Sequence, residues 1–299
     1  MTTIYNQISS NKRETVIIMF AFVTVVTILG FLSGEIFVGE GAGYPVMVFA
    51  VLFSSISSVS SYYFSDKIVL GIAGAKKVSR ETLPKVYGIL DNLCVGSGIK
   101  KIPDLYLIND TATNAFATGR DPEHAVIAIT SGLVEKLDKR EIEAVLAHEL
   151  SHIKNYDIRL MTIVVILVGS ISMMANIFLR GGFRRGDRNK EIGGIVVLIG
   201  IVLLILSPII ASLIKLAVSR NREYLADASG ALLTRDPEGL ALALEKISSD
   251  TEALEVANEA TAHMYISNPL KKGQNASKFA NLFETHPPVS ERIRLLRLM

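Results

Sequence analysis

Ala147-His148-Glu149-Leu150-Ser151-His152 is the stretch on which the reading of this chain turns. It has the pattern H-E-x-x-H. Residues four apart on a helix lie one turn above each other on one face, so His148 and His152 can aim two imidazoles at one ion. Zn2+ accepts such nitrogen ligands in tetrahedral sites, and its catalytic sites combine three protein ligands with one open position. Glu149, beside the first histidine, is placed to take a proton from the attacking water. A carboxylate is a poor base for free water and suffices once zinc has brought the water pKa to about 7. Asp138, with Glu141 three residues later, predicts a capping box that opens this helix. Ile142, Val145, Leu146, Leu150 and Ile153 give it an apolar face, and His148, His152 and Asn155 fall near another.

Upstream, Asp66 to Asp157 has the composition of a water-soluble domain. Ser79 predicts the cap of a helix from Arg80 through Leu93, ended by Gly96 and Gly98. Pro103 to Asn109 alternates as a strand, with Leu105 and Leu107 on one side and Tyr106 and Ile108 on the other. Asn114 to Gly119 reads N-A-F-A-T-G and runs into turn signals at Arg120-Asp121-Pro122. Ala125 to Ile129 is a second apolar strand. The segments flanking the turn can pair as a hairpin with one edge open. An open edge can bind an extended peptide through main-chain hydrogen bonds. An ordinary small sheet fits the pattern equally well.

The rest of the chain is dominated by apolar runs. Of 299 residues, 49% are hydrophobic and the mean hydropathy is +0.39, with the excess concentrated in four stretches. Thr15 to Ser33 and Tyr44 to Ser65 carry no charge and predict a hairpin of two membrane helices. The competing reading is a pair of buried helices in a soluble core. The first run is too long for a signal peptide and lacks a small-residue cleavage site followed by a polar chain. Leu160 to Leu179 and Ile192 to Ile214 form a second pair, linked by a basic segment containing Arg180, Arg184, Arg185, Arg188 and Lys190. Lys12, Arg13, Lys67, Lys76 and Lys77 place the N-terminus and the soluble domain on the cytoplasmic side. A spanning second hairpin would then carry its basic link outside, so packing of that hairpin against the soluble domain is the alternative. Four segments follow: 1–65 with a tail and two membrane helices, 66–157 with the metal helix, 158–214 with the second hairpin, and 215–299 returning to the soluble side.

That last segment can complete the site. In Arg220-Asn221-Arg222-Glu223-Tyr224-Leu225-Ala226-Asp227, Glu223 and Asp227 are four apart. One carboxylate can be a third metal ligand, and the other can accept the remaining ring N–H of a ligating histidine. Alone, the same array would be a solvated helix face. His286 precedes Pro287-Pro288 and either points into the cleft or pins a turn; Ser290 caps a last basic helix through Arg297. The net charge of +2 gives no electrostatic case for nucleic acid. Cys94, alone, excludes an intramolecular disulfide and a cysteine zinc knuckle.

Four motifs together resemble the HtpX-type membrane zinc metalloproteases, relatives of the CAAX prenyl protease: N-A-F-A-T-G at Asn114 to Gly119, H-E-L-S-H at His148 to His152, R-E-Y-L-A-D at Arg222 to Asp227, and H-P-P at His286 to Pro288. The resemblance covers essentially the whole chain. It implies an α+β, mainly helical, gluzincin-like integral membrane fold with four apolar helices and a small sheet. It further implies one Zn2+ held by His148, His152 and Glu223, with Glu149 as general base. The activity implied is endopeptidase action on membrane proteins in quality control at the cell membrane, with a cytoplasmic active site. Asp227, Asn114, His286 and Arg220 are supporting candidates, the last two as oxyanion donors.

Two other classes compete. A zinc-binding membrane scaffold without turnover would keep the three ligands but has no need of Glu149. A transporter would need ionisable residues within its apolar runs, and these runs carry almost none. The motifs do not specify the substrate or the oligomeric state.

Overall fold

A computed structural model describes residues 4–35, 39–184, 220–255, 257, 261–267 and 287–299. The chain is mainly helical, with one small mixed sheet. Helix α1 spans Ile4–Ser33 and α2 spans Gly43–Tyr63. The polar residues before the first apolar run belong to α1 rather than to a separate tail, because no Gly or Pro between Ile4 and Glu14 interrupts the helix. Ile8–Leu32 and Gly43–Tyr63 are long and apolar enough to cross a membrane. Their surfaces decide between the two readings of this hairpin. Phe20 is 75% exposed, Phe49 66% and Ile56 65%. A core helix of a soluble protein hides such side chains, whereas lipid-facing helices present them. The inward faces meet α7 (Asp157–Arg184) in a cluster that includes Ile18, Phe22, Ala50, Leu160, Ile163, Val164 and Leu167. The third apolar run thus lies within a 28-residue helix. The fourth run, Ile192 to Ile214, lies outside the described residues.

After α3 (Ser65–Ile72) comes the soluble part: β1 (Lys76–Lys77), α4 (Pro84–Ser97), β2 (Asp104–Ile108), β3 (Ala115–Thr118), β4 (Val126–Thr130), α5 (Ser131–Lys136) and α6 (Lys139–Lys154). Helix α4 starts at Pro84, not Arg80. Ser79 closes only a turn, its carbonyl accepting from Thr82 and Leu83 N–H, and Pro84 supplies the pre-set φ that suits a first helical turn. Gly96 stays inside the helix, and Gly98 ends it in the left-handed region at φ +74°, where a Cβ is costly.

The sheet order is β1-β2-β4-β3. β3 and β4 form the expected antiparallel hairpin, with Ala115 opposite Ile129 and Thr118 opposite Val126. β2 runs parallel to β4, and β1 adds an unexpected short edge paired to β2. β3 is the other edge. Its outer side is not wholly open: the Ala115 carbonyl accepts a hydrogen bond from Ile266 N–H at 3.0 Å.

The main core lies between α4, the sheet and α6, and includes Leu90, Leu105, Ile127, Ile129, Leu146 and Leu150. It is completed by α8 (Arg220–Thr234), α9 (Pro237–Ser249) and α10 (Val289–Leu296). Both halves of the capping box of α6 form: Asp138 accepts from Glu141 N–H at 2.9 Å and Glu141 accepts from Asp138 N–H at 2.8 Å. Asp138→Ala removes one half of this reciprocal cap. Thermal unfolding should register a loss of about 1 kcal/mol, with metal content unchanged because His148 lies well beyond the first turn.

Candidate metal centre

The metal helix α6 is buried along nearly its whole length, His148, Glu149 and His152 included. Helix α8 packs across it at Gly230. A Cβ there would sit 3.0 Å from His148 N and 3.2 Å from His148 Cα. Those are backbone atoms, so a side chain there would press the two helices apart by a few tenths of an ångström. The close contact carries Glu223 and Asp227 onto the histidine face.

Three side chains converge. His148 Nε2 and His152 Nε2 are 3.1 Å apart, and Glu223 lies 3.9 Å from the first and 3.5 Å from the second. These are the atoms, all within 4.8 Å of one another, that could hold a metal ion. The opposite ring nitrogens face carboxylates: His148 Nδ1 is 2.9 Å from Asp227, and His152 Nδ1 is 3.0 Å from Asp157. A ring nitrogen against a carboxylate keeps its proton, so the two Nε2 atoms are the ones left to face each other and Glu223. Such a cluster requires a positive charge at its centre.

The local electrostatics say the same. Burial alone would lower the His152 pKa, but its bond to Asp157 and then the charge of Glu223 lift it to about 9. Burial lowers that of His148, against the pull of Asp227. For Glu149, burial raises the carboxyl to about 7; His152 opposes this, Glu223 adds to it, and a hydrogen bond from Ala117 N–H opposes it. That last bond ties Glu149 to the edge strand β3. Arg292 is fully buried and donates to both oxygens of Asp227 at 2.8 and 2.7 Å. It also lies 3.5 Å from Glu223 and donates to the Ile266 carbonyl at 2.9 Å. Asp227 therefore stays below the ordinary carboxylate range despite its burial.

Of the supporting candidates, Asp227 stands behind His148. Asn114 is buried at the head of β3, where its side chain accepts from Ala115 N–H and donates to the Ser267 carbonyl. Arg220 is exposed at the first residue of α8, away from the converging atoms. His286 lies outside the described residues. Sequence reasoning passed over Asp157 and Arg292. Asp157 stands five residues after His152, just past the helix end, where a second carboxylate partner can be sought. Arg292 has no local mark, since one more arginine on a basic helix reads as solvated.

Residues 81–299 match peptidase family M48. The chain belongs to that family. It is a metalloprotease. Among its relatives, a protein from Dictyoglomus thermophilum described as a protease HtpX homolog is 43% identical across 99% of this chain and 95% of its own length. Proteins of the same description from Caldanaerobacter subterraneus and Streptococcus uberis are 41% and 39% identical, each across 99% of this chain, and over 97% and 100% of their own lengths. Among solved structures, Ste24p from S. mikatae is similar at 20% identity, covering 89% of this chain and 65% of its own, with a TM-score of 0.45.

Two outcomes follow from this geometry. Adding a methyl at Gly230 should force α6 and α8 apart by a few tenths of an ångström, so Gly230→Ala should lower metal affinity at least tenfold, read by chelator competition. Glu149 has a raised pKa in the folded chain, about 7 against an ordinary 4.5. The folded state then holds the proton more tightly, and stability falls as pH rises from 4.5 to 7. In metal-free protein, Glu149→Gln should raise the unfolding temperature at pH 8, by a free energy of at most about 3 kcal/mol. The gain should vanish as pH falls toward 4.5.

Proposed function

We propose that this M48 member is a zinc endopeptidase, with His148, His152 and Glu223 as the metal ligands and Glu149 as general base. The observation that carries the reading is the convergence of two imidazole Nε2 atoms and a carboxylate, with Glu149 held between them and the edge strand. Zinc suits the donor set: Zn–N distances of about 2.0–2.1 Å in a tetrahedron separate ligand atoms by about 3.4 Å, against 3.1, 3.5 and 3.9 Å here. When bound, zinc would polarise the scissile carbonyl and acidify the attacking water.

The protein's own groups do the rest. Glu149 can accept a proton from water and return it to the leaving amine. The Ala117 N–H keeps its carboxylate turned toward β3. Asp227 and Asp157 hold the two histidine rings in the tautomer that presents Nε2. Arg292 balances the anionic charge of Asp227 and Glu223. An extended substrate would lie along the part of the β3 edge around Ala117, since the Ala115 carbonyl is already engaged by Ile266. The inactive-scaffold reading is not favoured, because it leaves unexplained why Glu149 is buried at the cost of a raised pKa.

The setting belongs to the same proposal. The outward apolar faces of α1 and α2 support a bilayer location in the cell membrane, multi-pass if the second hairpin also spans. Lys12 and Arg13, ahead of the apolar stretch of α1, and Lys67, Lys76 and Lys77 after α2 support a cytoplasmic active site. Membrane proteins, misfolded or damaged ones above all, are the substrates that such a placement would bring to β3, which makes quality control the fitting role.

Glu149→Gln should retain zinc while peptide hydrolysis falls by about 10²–10⁴-fold. His148→Ala and Glu223→Ala should lose bound zinc by elemental analysis. Peptidase activity surviving in the Glu149→Gln protein would remove that residue from its role.

A further inference from the structure

Helix α1 does more than anchor the chain. Asn11 lies within it and is 1% exposed, a buried amide on a helix that is otherwise mostly apolar. Both ends of that amide are used. Its Nδ2 donates to Asp157 Oδ1 at 2.6 Å and to the Asn155 carbonyl at 2.9 Å. Its Oδ1 accepts from Arg222 Nε at 3.0 Å. Arg222 also donates to Glu14 of α1 at 2.6 Å and lies 3.6 Å from Asp157. The other oxygen of Asp157 faces His152 Nδ1, and Arg222 directly precedes Glu223 in α8.

The same end of α1 clamps the junction between α6 and α7. Tyr156 sits there at φ +61°, a strained position for a side chain of its size, and Lys12 Nζ lies 4.2 Å over its ring. We infer that Asn11 is a positioning residue of the metal site: its amide fixes the orientation of Asp157, hence of the His152 ring, and with Arg222 it ties the seat of α1 to both metal-bearing helices. This rests on the reading of His152 and Glu223 as ligands.

Simple docking of α1 does not require an amide. Ile18, Phe22 and Val26 already bury one face of the helix, and a buried amide is costly unless all its partners are met. An aliphatic side chain at position 11 would dock as well. It would leave the buried Asp157 with one donor fewer and the Asn155 carbonyl without its side-chain donor. The carboxylate that orients His152 would then be free to turn.

The test uses full-length protein in detergent and two readouts. One is zinc affinity by competition with a chromophoric chelator; the other is the visible ligand-field spectrum after loading with Co2+. Asn11→Leu removes the donors and the acceptor at similar volume. Asn11→Asp keeps the acceptor for Arg222 but sets a second carboxylate against Asp157. Thr15→Val is the control: the same helix, equally buried, its hydroxyl bonded only to the Asn11 carbonyl.

Asn11→Leu should weaken zinc binding roughly tenfold, the low end of what outer partners of metal ligands cost, and should shift the Co2+ spectrum. Asn11→Asp should weaken it further, and Thr15→Val should match wild type. Wild-type affinity and spectrum in either folded Asn11 variant would overturn the inference, as would equal losses in Asn11→Leu and Thr15→Val, which would mark a mere docking effect. His152→Ala separates the two levels. If it loses zinc while the Asn11 variants do not, only the positioning role falls; if it keeps zinc, the ligand assignment falls first.

Discussion

Two imidazole nitrogens meet at the centre of this protein. His148 Nε2 and His152 Nε2 face each other across 3.1 Å with Glu223 alongside, all of them buried. Crowded against buried carboxylates, this pair favours a positive charge, and the surrounding polar structure can be understood as meeting that demand. Asp227 and Asp157 keep the rings turned the right way. Their own charges need buried partners in turn, which Arg292 and Arg222 supply from two different parts of the chain. The fold brings α6, α8, α10 and the start of α1 to one point because each carries one component of a charge balance that none could complete alone.

Much of this was legible in the chain and some was not. Helix α6 declared itself through three independent local signals, the capping box, the apolar period and the paired histidines, which agree because all depend on residues within one or two turns. The β3–β4 hairpin was equally visible, since Asp121-Pro122 sits between two apolar segments. The start of α4 was misplaced because Ser79 and Pro84 both make good starts, and only tertiary packing chose the proline. The strand β1 was too short to carry any alternation. Asp157 and Arg292 escaped notice because their importance lies in what they face across the fold, which no spacing rule encodes. Arg220 lies near Glu223 in sequence yet is exposed, whereas Arg292, 69 residues after Glu223, is fully buried against it.

The edge strand shows how a single element serves two purposes. The backbone of Ala117, further along that edge, acts on the Glu149 carboxyl and lowers its pKa. Glu149, the base on the reading proposed above, therefore lies beside the edge along which a substrate would run. The Ala115 carbonyl is engaged by Ile266, whose own carbonyl is held by Arg292. The site's geometry and the shape of its binding edge therefore share one arginine.

That arginine lies in the last helix of the chain, α10, and synthesis runs from the N-terminus. The two histidines emerge from the ribosome long before Arg292, and Glu223 comes between. A chain ending before Val289 would carry His148, Glu149, His152 and Glu223 but not the cation that steadies Asp227 and holds the Ile266 carbonyl. Completion of the centre thus waits for α10 to be made and to pack against α8.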